Sequence, residues 1–448
     1  EEMSNRDAQV ASIAKSAKRN KQLGLRRLFS LLALIAAGET IFFLPFVLAR
    51  VFRPTLLEVF GLTNLELGTA FSLYGIVAMF AYLPGGPIAD AFSPRKLIAT
   101  ALITTAVGGL ILASTPSLSS LKQLYAYWGL TTIALFWAAL MRATRDWGGE
   151  MKQGAAFGLL DGGRGLLTAV TGSLMVVIYS SLIPEDVASA TLEQRSDAFR
   201  KIILLLTTIT CATAVLVWFT LPSRNRRDKI KSSSFNFRGV LHVFKMPTVW
   251  LQAFIIICAY VGFKATDIFS LYARDVLELN EVEAAKVGMV SLWMRPIAAI
   301  AAGYLADRTS AASMTIVSFV LLAIGSLVLS CDIIQAGMLG IFLMTIICTS
   351  LGIFALRGLY FAIMKEGKVS VAFTGSAVGL VSVIGYTPDI FMGPVIGYLL
   401  DRSPGANGHQ DVFLVVFGFA IAGLVGSLFF RHLTHENLIH NKRVESKS

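Results

Sequence analysis

Seven ionisable residues sit in apolar stretches of the 448-residue chain: Glu39, Lys264, Asp267, Arg295 and Asp389 lie deepest, with Asp161 and Arg164 nearer the end of theirs. A charge in hydrocarbon is costly unless it is paired or faces water, so each is a candidate for function. Lys264 with Asp267, and Asp161 with Arg164, are three residues apart and can form ion pairs on one helix face. For these four a structural and a functional role are equally good readings. Arg295 has no such neighbour, and a guanidinium grips carboxylate, sulfonate or phosphate bidentately, which is the chemistry of a substrate clamp. Glu39 and Asp389 also lack a partner within a turn, and a carboxylate in such a setting can take up and release a proton. Pro296 beside Arg295 and Pro388 beside Asp389 should interrupt helix hydrogen bonding at these charges. Phe42, Phe43, Tyr260, Phe263 and Tyr386 could line a site, although packing or lipid contact is the commoner role for any one of them.

The elements that carry these residues must be membrane spans. The chain is 55% hydrophobic and only 15% charged, too apolar for a soluble protein. Apolar stretches of about 20 residues, long enough to cross a bilayer as helices, recur about twelve times. The first is too long for a cleaved leader and reads as the first span. The spacing predicts an all-α membrane protein with a basic tail (1–25), six helices (26–221), a basic linker (222–246), six more helices (247–432) and a short tail (433–448). The first span should stop before Arg53-Pro54. The formal charge of +11 is concentrated in the first tail and the linker, which the positive-inside bias places in the cytoplasm. It is not gathered on the aromatic-rich face that a nucleic-acid reader needs. Cys211, Cys258, Cys331 and Cys348 fall in apolar runs without metal-ligand spacing and read as buried thiols.

Two landmarks reveal an internal repeat. Gly85 to Lys96 ends the second span in a small-residue turn, an Asp and a basic pair, and Gly303-Tyr304-Leu305-Ala306-Asp307-Arg308 recurs about 217 residues after it. Gly154-Ala155-Ala156-Phe157-Gly158-Leu159 and Gly375-Ser376-Ala377-Val378-Gly379-Leu380 open the fifth span of each half, about 221 residues apart. Two six-helix bundles in parallel orientation follow. Gly154 with Gly158, and Gly375 with Gly379, let backbones approach closely, as a static or a sliding contact.

With these motifs the chain resembles the major facilitator superfamily of secondary transporters over nearly its whole length. Gly86, Asp90, Arg95 and Lys96 match the superfamily's loop between spans two and three, while Ala91 and Pro94 replace its usual Arg and second Gly. Trp147 through Leu160, and Phe373 through Asp401, look like the organophosphate and anion:cation symporter branches. The Arg usual midway along span four is absent, with Tyr125 and Tyr127 in that region.

The resemblance implies two pseudo-symmetric six-helix bundles rocking about a central cavity lined by spans one, five, seven, eight and eleven. It implies a cytoplasmic latch of Gly86, Asp90, Arg95 and Lys96 with Gly303, Asp307 and Arg308, closed when the cavity faces outward. Arg142, Arg145, Arg357 and Lys365, near the cytoplasmic helix ends, read as anchors or latch partners. The function expected is secondary active transport of a small polar solute, an organic anion, coupled to H+ or Na+, by a monomer in a bacterial inner membrane. No other cofactor is expected. A lipophilic-drug exporter and a ligand sensor without turnover are the alternatives. No phosphate-binding Gly-x-x-x-x-Gly-Lys-Ser/Thr loop and no nucleophile–base set is present, and the five His residues fall in loops or at ends, so an enzyme is not expected.

Overall fold

The computed structural model describes residues 24–148, 153–223, 244–359, 363 and 374–445, with the side chains of 153–156, 307, 374–379 and 435–445 excepted. Most of the linker, the first tail, Lys365 and Phe373 therefore lie outside the described residues. So does the side chain of Asp307. Among the described residues, twelve helices are long and apolar enough to cross a membrane. In the first half these are α1 (Gly24–Val51), α2 (Asn64–Ala91), α3 (Pro94–Ala113), α4 (Leu118–Gly148), α5 (Phe157–Leu182) and α6 (Leu192–Thr220). In the second they are α7 (Pro247–Asp275), α8 (Glu281–Ala306), α9 (Ala311–Ser330), α10 (Leu339–Leu359), α11 (Leu380–Arg402) and α12 (Ala406–Thr434).

Local sequence explains where they start. Thr63 with Glu66, Thr191 with Gln194, and Asn280 with Glu283 form reciprocal capping boxes at the outer ends of α2, α6 and α8. Proline occupies the first turn of α3 and α7, where its missing N–H costs nothing. The first span stops at Val51, before Arg53-Pro54 as expected. The chain breaks at Phe52 and resumes as Arg53–Phe60, with Pro54 again in a first turn. Pro296, by contrast, stays inside a continuous helix. Pro388 opens a new helix after a two-residue break in α11.

Each half has its own apolar core. One cluster joins residues from Val249 to Phe430, and two others join residues from Ala33 to Leu221, with Val282, Ala285 and Leu292 of α8 packing across. The halves meet along α2 against α11 and α5 against α8. At the α2/α11 seam a Cβ on Gly68 would run into the carbonyl of Gly393, and one on Gly75 into the backbone of Asp389. At the α5/α8 seam Gly172 faces Leu292, and the Tyr179 hydroxyl donates to Glu281 at 3.1 Å. These contacts lie on the side away from the basic tail. On the tail side a Cβ on Gly86, Gly158 or Gly303 would meet open space. Among the described residues the halves are therefore packed closely at the outer side, and these tail-side positions carry no such contact.

Of the four thiols, only Cys258 is buried. Cys331 and Cys348 are half-buried and Cys211 is exposed on α6, which corrects the expectation of buried thiols throughout.

Candidate functional site

The cavity between the halves has about 990 Å³ of empty space, open solvent at its mouth included. Four helix irregularities surround it. The α1 backbone widens to a π-turn at Phe43–Val47 and α4 does so at Thr131–Trp137. In α7 it tightens to a 3-10 turn at Thr266–Ile268, and α11 is broken at 386–387. Such departures from the α-helical ladder re-aim side chains and commonly mark functional positions. Here they bring Phe46, Arg50, Trp137, Asp267 and Asp389 to the cavity or its wall.

The seven candidate charges fall into two clusters. In the first, Arg164 Nε donates to Glu39 Oε2 at 3.1 Å and Arg295 Nη1 to Glu39 Oε1 at 2.9 Å. The Thr168 hydroxyl donates to Glu39 as well. Asp161 lies 3.6 Å from both Arg164 and Arg295. The local Asp161–Arg164 pair is thus present, but it is one edge of a network that ties α1 and α5 to α8 across the halves. Arg295 is not the unpartnered residue its own span suggests. Its buried Nη2 is the atom that faces Asp161, at 3.6 Å and so just beyond hydrogen-bond length.

In the second cluster, Arg50 meets Asp267 through Nε at 2.8 Å and Nη2 at 2.7 Å. Lys264 Nζ lies 3.2 Å from Asp267 and 3.4 Å from Asp389, whose other oxygen accepts from the Tyr260 hydroxyl at 3.0 Å. Asp267 therefore serves two cations, one from each half. Arg50 was missed from sequence because it stands at the predicted end of α1, where a basic residue reads as an interfacial anchor.

Arg357 is the second omission. It was assigned to the cytoplasmic ends, but it lines the cavity, its guanidinium 3.8 Å over the Phe263 ring and 5.9 Å from that of Tyr260. Only the position of α10 against α7 reveals this. Of the aromatic candidates, Phe42, Tyr260, Phe263 and Tyr386 do line the cavity, whereas Phe43 is fully buried in the first-half core. Phe46, Tyr74, Tyr82 and Trp137 join them.

The latch residues lie apart from the cavity. Arg142 donates to the Ala89 carbonyl at 2.6 Å and lies 3.4 Å from Asp90, both within the first half. Arg95 stacks on Trp218 of the same half, 4.7 Å from the ring, and Arg308 stacks on Tyr304 at 4.3 Å. Arg142 thus contacts the Asp90 loop within its own half. His409, which the sequence placed at a helix end, is buried there and bonded to Asp275 at 3.0 Å.

Paired bundles, broken helices and a charged midplane cavity are the build of a secondary transporter, and the sequence pattern of the Major Facilitator Superfamily matches residues 28–386. The chain belongs to that superfamily and is a multi-pass inner-membrane transporter of some solute. Among its relatives is the inner membrane protein YqcE of Escherichia coli K12, 27% identical over 409 residues that cover 89% of this chain and 93% of that one. The inner membrane protein YihN of the same strain is 24% identical, with coverage of 90% and 94%. Similar folds include the nucleoside transporter NupG as its D323A mutant, at TM-score 0.69 and 14% identity over 90% of this chain and 99% of that one. A bacterial homologue of the human lysosomal transporter Spinster, inward-facing and unoccupied, has TM-score 0.70 and 13% identity over 92% and 98%.

Proposed function

We propose that the protein carries a small organic anion through the central cavity by alternating access, coupled to proton movement. The observation that carries this reading is the charge of the cavity lining: Arg50, Arg164, Lys264, Arg295 and Arg357 against Glu39 and Asp389. Even with Asp161 and Asp267 behind them, the cations exceed the carboxylates. An anion entering from the cytoplasmic mouth meets a positive potential focused by low-dielectric walls. The rings of Tyr260, Phe263 and Tyr386 supply an apolar wall for its body. A cationic drug would be repelled by the same potential.

Purified protein tests the substrate class. Carboxylates, sulfonates and sugar phosphates, screened by thermal shift, are expected to include at least one that raises Tm, while organic cations do not. If only cations or lipophilic compounds stabilise the protein, the anion reading fails. Arg357→Gln is expected to weaken binding of the stabilising anion by about tenfold or more, the worth of a charge-assisted hydrogen bond of about 1.5–3 kcal/mol. An unchanged affinity would remove Arg357 from the site.

Asp389 is the carboxylate we assign to coupling, in place of Glu39. Glu39 is held by two guanidiniums and a hydroxyl. Among the described residues Asp389 has Lys264 as its one cation, and Lys264 lies closer to Asp267. In proteoliposomes, Asp389→Asn is expected to abolish accumulation driven by a pH gradient while substrate exchange across the membrane continues. Accumulation that persists would assign the proton elsewhere.

A further inference from the structure

Span α11 ends in Gly397-Tyr398-Leu399-Leu400-Asp401-Arg402, which repeats Gly303-Tyr304-Leu305-Ala306-Asp307-Arg308 at five of six positions. The two copies face opposite sides of the membrane. Asp401 touches the first turn of α2, whose last turn holds Asp90, roughly 40 Å away along a helix that rises 1.5 Å per residue.

The first turn of a helix leaves backbone N–H groups without intrahelical partners. In α2 the Thr63 hydroxyl accepts from the N–H of Glu66, and the Glu66 carboxylate accepts from that of Thr63. The N–H groups of Asn64 and Leu65 are held by the other half of the protein. Asn64 N–H donates to Asp401 Oδ1 at 3.1 Å and Leu65 N–H to Asp401 Oδ2 at 2.7 Å. A carboxylate at a helix N-terminus gains from both the bonds and the helix dipole. This cap can exist only while the outer ends of α2 and α11 are together.

We propose that Asp401 is an outer lock, a counterpart on the periplasmic side of the cytoplasmic latch, whose carboxylate selects the state open to the cytoplasm. A contact made in one of two states shifts their ratio by its own free energy. The inference rests on the alternating-access reading above. Other bonds join the halves at this level: Arg195 of α6 lies 3.1 Å from Glu281 of α8, and Arg274 of α7 lies 3.4 Å from Glu58. Asp401 differs from them in being exposed and in hydrogen-bonding backbone, while the buried Arg53 that also feels its charge keeps Asp267 as its stronger counter-charge and Asn64 as its hydrogen-bond partner.

The test needs no substrate. Leu292→Cys, buried against Gly172 in the closed outer seam, is introduced after the four native cysteines are replaced by alanine, and its reaction with a membrane-impermeant maleimide is followed from the periplasmic side. Asp401→Asn is expected to speed labelling roughly three- to tenfold, as loss of a helix-terminus contact implies. Hydrogen exchange of the same variant should rise in the first turns of α2 and the last turns of α11 and fall at the cytoplasmic end of α2. Equal labelling with unchanged exchange overturns the lock. Exchange raised along the whole chain would make Asp401 a residue of the fold and overturns it equally. Gly68→Val, which blocks the seam sterically, separates the two levels: labelling opened by Gly68→Val but not by Asp401→Asn sinks the lock alone, whereas labelling opened by neither sinks alternating access.

Discussion

Asp267→Asn is expected to destabilise the protein by about 3–5 kcal/mol, the usual cost of leaving a buried charge without its partner. Asp267 is 4% exposed and faces Arg50 at 5% and Lys264 at 2%. An asparagine there leaves two cations, one on each half, confronting each other in a low-dielectric wall. Asp389 can answer only Lys264. The loss should appear as a lower Tm of the purified protein and reduced yield in membranes. Lys264→Met added to Asp267→Asn should restore part of it, because it removes one of the stranded charges. A single variant as stable as the parent, or a double variant worse than the single, would show that water and not Asp267 compensates these cations.

Gly68→Val should abolish net transport while leaving each half folded. The seam between α2 and α11 is set by backbone meeting backbone: the Cβ of any side chain at Gly68 would overlap the Gly393 carbonyl, and neither partner is a flexible side chain that could yield. Closing the outer side then requires the two helices to separate by the width of the added methyls. Helix contacts of this kind depend on small residues, which alone let backbones approach so closely. The variant is expected to remain trapped open to the periplasm, with flux in proteoliposomes reduced more than tenfold, about 1.4 kcal/mol or more against the closed state. Gly418→Val, on a helix position with open space around it, is the control and should transport normally. Normal flux through Gly68→Val would mean that the outer seam does not need this approach.

Much of the architecture was legible in the chain. Uninterrupted apolar runs report spans because a bilayer offers no water to exposed backbone, so only whole helices cross it. The number of spans could be counted from the sequence, and the repeat of Asp90 and Asp307 marks the two halves. Prolines were legible at two of three places: the first span stops before Arg53-Pro54 and α11 breaks ahead of Pro388, whereas Pro296 stays inside a continuous helix. Arg50 and Arg357 escaped because depth along a helix does not reveal which way a side chain faces. Partners escaped for a related reason. Glu39 and Arg295 are 256 positions apart and Arg50 and Asp267 are 217 apart, far beyond any i,i+3 or i,i+4 rule.

By itself, the sequence determined that the chain lives in a bilayer, how many times it crosses, which side holds its basic segments, and that a handful of charges had to be paired or wetted. Hydropathy and the cost of a buried charge are properties of each residue in its immediate stretch, and they survive without knowledge of the fold. Tertiary structure alone decided which charges meet, that the cavity is ringed by more cations than carboxylates, and that Asp401 closes on the start of α2. Those outcomes depend on the angle and register at which separate helices pack, and the interactions that set them join residues with no proximity along the chain.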